Sequence, residues 1–111
     1  MNFKDLNKDD IIKLTIKHLA DKFGANKFKI QDNWDADLQA IGLTDVSEKY
    51  LIYFSNYGKK KNEFYVSLEN LTQGDNDHPY EPAGDFDQVD LEGLENIFIK
   101  HLRIKTTDAT Q

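Results

Sequence analysis

The sequence predicts an α+β fold: an antiparallel sheet of three to four strands, with an N-terminal and a C-terminal helix forming a single layer on one face. Three observations predict it. Ile12, Ile16, Leu19, Ala20 and Phe23 recur at helical spacing near the start of the chain. Leu91, Leu94, Ile97, Phe98 and Leu102 do the same near its end. Between them, residues 48–57 and 63–69 alternate apolar and polar side chains across a polar turn, the pattern of a hairpin.

In chain order, the first helix has Asn7 as its expected N-cap, Asp9 and Asp10 in its first turn, and Leu6 and Ile11 at the two positions of a hydrophobic staple. Gly24 closes it, and Lys17, His18 and Lys22 suit the negative end of the helix dipole. Residues 27–31, KFKIQ, read as a half-buried strand with Phe28 and Ile30 on one side. Residues 33–46 give two signals. Trp34, Ala36, Leu38 and Ala40 alternate as in a strand, whereas Leu38 and Ile41 after Asp35 and Asp37 fit a short helical turn ended by Gly42. The strand is the preferred reading, and both remain open.

For the hairpin, Tyr50, Ile52 and Phe54 share a face with Phe64, Val66 and Leu68 only if paired residue numbers sum to an even value. That parity calls for an odd loop, of about three or five residues in a common hairpin. The opposite face then carries Leu51, Tyr53, Tyr57 and Tyr65 beside Ser55 and Ser67. Residues 70–89 contain two prolines, two glycines and five acidic groups without periodicity, and read as a long irregular loop. Asp90 is the expected N-cap of the second helix, with Val89 and Leu94 as its staple and an end near Arg103 or Lys105. The tetrapeptide Ile-Lys-His-Leu at 16–19 recurs at 99–102. Two amphipathic helices with basic C-terminal turns account for it without a duplication.

The 111 residues suit one domain spanning 1–111, with 1–5 and 105–111 expected to fray. There is no cysteine, so disulfides, thiolate metal sites and thiol nucleophiles are excluded. The N-terminus shows no signal-like apolar run and no stretch is long enough to span a bilayer, so a cytoplasmic protein without a membrane partner is expected. The formal charge is −6, unevenly spread. Residues 62–99 hold 10 acidic groups and no lysine or arginine, whereas residues 1–61 hold 11 basic and 9 acidic. Such a field repels nucleic-acid phosphate and steers basic partners or cations inward.

The acids suggest two kinds of chemistry. Asp75, Asp77, His78 and Glu81 lie close together, followed by Asp85 and Asp87, and calcium takes several carboxylate oxygens from such a loop. The EF-hand template fails, because Tyr80 or Asp90 stands where its glycine is required. No serine, histidine or glycine pattern matches a hydrolase, a deaminase, a zinc protease or a phosphate loop. An enzyme is therefore not the expectation, and no cofactor is implied. The triple lysine at 59–61 reads as a solubilising hairpin tip.

The second possibility is a protein-binding face. Tyrosine gives wide contact area with a polar handle, and Tyr53, Tyr57 and Tyr65 beside Asp75, Asp77, Tyr80, Asp85 and Asp87 would offer anchors and a steering field together. The sequence thus favours a non-catalytic module for a basic protein partner, in the character of immunity proteins, antitoxins or small inhibitors, as a monomer or homodimer. A calcium-type module or metal-dependent enzyme using the 75–87 carboxylates is one alternative. An accessory subunit whose acidity serves solubility is the other.

Overall fold

A computed structural model describes residues 7–31, 38–60, 63–71 and 80–104. Helix α1 (Asp10–Phe23) is followed by a 3-10 turn (Ala25–Lys27) and strands β1 (Phe28–Ile30), β2 (Ala40–Asp45), β3 (Tyr50–Ser55), β4 (Glu63–Leu71) and β5 (Tyr80–Asp90), and then by helix α2 (Leu91–His101). The strands form one antiparallel sheet in sequential order, β1 to β5. The fold is α+β, with five strands rather than three to four.

The fifth strand lies where the sequence reads as a loop. Pro82, Gly84 and four acids disfavour a strand by propensity, but a strand with only one hydrogen-bonded neighbour tolerates them. Two register shifts also hide its alternation, one between Phe64 and Val66 and one between Leu68 and Glu69. Gly84 (φ 132°) and Gln88 (φ 55°) take the left-handed conformations near these irregularities.

The hairpin parity holds, since every pair from Tyr50↔Asn70 to Ser55↔Tyr65 sums to an even number. Its connection is longer than three or five residues, with positions 56–64 between the last paired residues. In the 33–46 stretch the strand runs over Ala40–Asp45. Trp34 and Ala36 lie outside the described residues, and Leu38 sits in a turn, 47% exposed.

Both helices cover the same sheet face. Ile12, Ile16, Leu19, Leu94, Phe98 and Leu102 form one buried cluster with Phe28, Ile41, Leu43, Ile52, Phe54, Phe64, Val66 and Leu68. Phe98 joins the layers, edge-on to Phe28 at 5.3 Å and tilted against Phe23 at 5.8 Å. Asp9, not Asn7, caps α1 by accepting from the Ile12 amide at 3.1 Å, which places the helix start two residues later. The cap residue's own amide donates to Leu38 O at 2.8 Å, holding the helix start against the chain entering β2. Asp90 caps α2 through the Gly93 amide at 2.7 Å. No described helix is long and apolar enough to cross a membrane.

Candidate functional site

Side chains alternate along a strand, so the register fixes which residues face away from the helices. Gly42, Tyr53, Ser67 and Asp85 form one cross-strand row on that outer face; Ala40, Ser55 and Tyr65 form the next. Toward β2 the face is closed, with Ala40, Thr44 and Leu51 at most 1% exposed. Toward β4 and β5 it opens, and Tyr53, Tyr65 and Ser67 are half-buried while Asp85 is exposed.

Tyr53 and Tyr65 pack edge to face with ring centroids 6.2 Å apart. The Tyr65 hydroxyl donates to Asp85 Oδ2 at 3.2 Å. Partial burial of the phenol, followed by its hydrogen bond to Asp85 and the negative charge there, pushes the Tyr65 pKa above the ordinary tyrosine value. The predicted tyrosine face and the acidic stretch therefore meet at one place, across the β4–β5 pair rather than between a sheet and a loop.

Asp87 has a different setting. Lys59 pairs with it, and the Gln88 amide donates to it at 3.0 Å. The lysine's hydrogen bond holds Asp87 below the usual aspartate range. Lys59, read from sequence as a solubilising residue, thus offsets part of the acidic field. Tyr57 stands in the turn after β3, 74% exposed, and is not in the sheet row of Tyr53. Glu81 is exposed on β5 opposite Asn70. Tyr80 opens β5 opposite Leu71, with only its backbone described. Asp75, Asp77 and His78 lie outside the described residues. Among the described residues, no three His, Asp or Glu side chains are grouped so as to hold a metal ion.

A second polar constellation escaped the sequence reading. Glu95, 8% exposed, accepts from His18 Nε2 and from Lys22 Nζ, the latter at 2.8 Å. Burial favours its neutral form, but the bonds and charges from His18 and Lys22 outweigh that and hold the carboxyl below the ordinary glutamate range. The arrangement clamps α1 to α2. Its sequence signal is that Glu95 occupies a position on the apolar stripe between Leu94 and Phe98. Its partners are more than 70 residues away in the chain and leave no local trace.

No family model, curated protein or solved structure matches the chain.

Proposed function

We propose that this protein is a non-catalytic interaction module that takes a basic protein partner on the outer face of β3, β4 and β5. The observation that carries the reading is the union of an aromatic pair and a carboxylate on one open patch: Tyr53 against Tyr65, and Tyr65 hydrogen-bonded to Asp85. An arginine or lysine of the partner would take the remaining lone pairs of Asp85, in a charge-assisted bond stronger than the neutral one from the phenol. Its stem would lie over the tyrosine rings, the geometry that cation–π attraction favours. The surrounding acids, including Glu63, Glu69 and Glu81, add an orienting field that speeds encounter more than it tightens the complex.

In this reading the protein acts by occupying a basic surface of another molecule, in the manner of an immunity protein, an antitoxin or an inhibitor, and it works in the cytoplasm. The test is partner capture by the wild type and by Asp85→Lys and Tyr65→Ala variants. Loss of a basic partner in both variants, with melting temperature retained, supports the proposal. Equal retention by all three proteins contradicts it.

A further inference from the structure

On the side of β5 that faces the helices, a groove of about 550 Å³ opens between that strand and α2, a size within the range of roughly 300–1,000 Å³ for small-molecule sites. Leu68, Ala83, Phe86 and Ile97 give it apolar walls. Phe86 is 44% exposed there, although its strand partner Val66 is fully buried.

The polar lining is one-sided in the opposite sense to the rest of the chain. Acidic residues outnumber basic ones 20 to 14 overall, yet the described lining contains no carboxylate and ends in Lys100, His101 and Arg103. Two of these three are engaged. Arg103 lies over the Tyr50 ring at 4.6 Å, and His101 stands edge-on to the same ring while Nε2 donates to Glu69 O at 3.0 Å. Arg103 holds φ 56° just past the end of α2, a position that glycine favours. Lys100, exposed in the last turn of α2, has no ion-pair partner among the described residues. It is the group with unused charge at the mouth of an apolar groove.

We propose that this groove binds a small amphipathic carboxylate, with its apolar body against Phe86 and Ile97 and its carboxylate on Lys100. The site is separate from the outer face, since neighbouring residues on β5 point to opposite sides of the sheet and Asp85 and Phe86 are adjacent. Binding here therefore stands or falls independently of the partner reading.

The experiment is a titration of isotope-labelled protein with 4-phenylbutyrate and, in parallel, with its neutral amide, read by amide chemical shifts. The carboxylate is expected to shift the resonances of Leu68, Ala83, Phe86, Ile97 and Lys100 saturably, and the amide to bind about tenfold more weakly, the worth of one charge-assisted hydrogen bond. Lys100→Glu, at an exposed position that leaves the fold intact by circular dichroism, should weaken the carboxylate by at least about the same factor and leave the amide unchanged. Phe86→Ser should weaken both ligands. Absence of saturable shifts, shifts confined to other residues, equal affinity for acid and amide, or indifference to Lys100→Glu would each overturn the proposal.

Discussion

Tyr65 on β4 donates its hydroxyl to Asp85 on β5 at 3.2 Å, on the sheet face that the helices leave uncovered. The bond stabilises the protonated phenol, and the Asp85 charge opposes phenolate formation. The Tyr65 phenol should therefore titrate above the ordinary value of 10.0 in the wild type and move back toward it in Asp85→Asn. Ring-proton shifts followed against pH check this, and an unchanged midpoint would show that burial alone sets it. Tyr65→Phe should alter stability by no more than about 0.5 kcal/mol, as expected for a surface substitution.

The Glu95 clamp makes stability depend on acidity. Its folded-state pKa lies below the ordinary value of 4.5, so the contribution is fully present above that value and is lost as pH falls through the lower folded value. Glu95→Ala should cost about 1–2 kcal/mol at pH 7, a figure reduced from that of a fully buried pair because His18 and Lys22 are partly exposed. Denaturant melts between pH 5 and 3 should be flatter for Glu95→Gln than for the wild type.

Asp45 fastens the turn between β2 and β3. Its carboxylate accepts from the amides of Lys49 at 2.8 Å, Tyr50 at 3.0 Å and Ser47 at 3.3 Å, and from the Ser47 hydroxyl. Partial burial opposes ionisation, but these bonds outweigh it and lower the Asp45 pKa. Asp45→Ala should destabilise by about 1–2 kcal/mol, comparable with loss of a helix cap. Asp45→Asn, which keeps one acceptor oxygen, should cost less. Chemical denaturation of the two variants gives the comparison.

Two phenylalanines separate core from surface. Phe98 is fully buried between β1 and α1, and Phe98→Ala should cost about 3–5 kcal/mol. Phe86, on the same side of the sheet but 44% exposed, should cost less than about 1.5 kcal/mol on the same change. Equal losses would mean that Phe86 belongs to the core.

The helices and the β3–β4 register were legible because burial writes its period into the sequence: Leu94 and Phe98 face inward on α2, as Ile52 and Phe54 do on β3. β5 was not legible for the same reason. Exposed over residues 81–88 and interrupted by two register shifts, it has little burial to impose alternation, and Pro82 and Gly84 read as loop residues. Of the predicted binding residues, the aromatic and acidic types could be named from composition, but the meeting of Tyr65 with Asp85 depends on a strand pairing that composition does not encode. The two Ile-Lys-His-Leu segments show the same limit. His18 serves the Glu95 clamp, whereas His101 binds the Glu69 carbonyl and packs on Tyr50.

The most direct measurement is affinity capture from native lysate with wild type and with a Tyr65→Ala/Asp85→Lys double variant, followed by mass-spectrometric identification and elution with rising salt. A partner rich in lysine and arginine, held by the wild type, released by salt and absent from the variant, is the predicted result. A partner retained equally by the folded variant, or one that is itself acidic, would contradict a basic-partner site on this face.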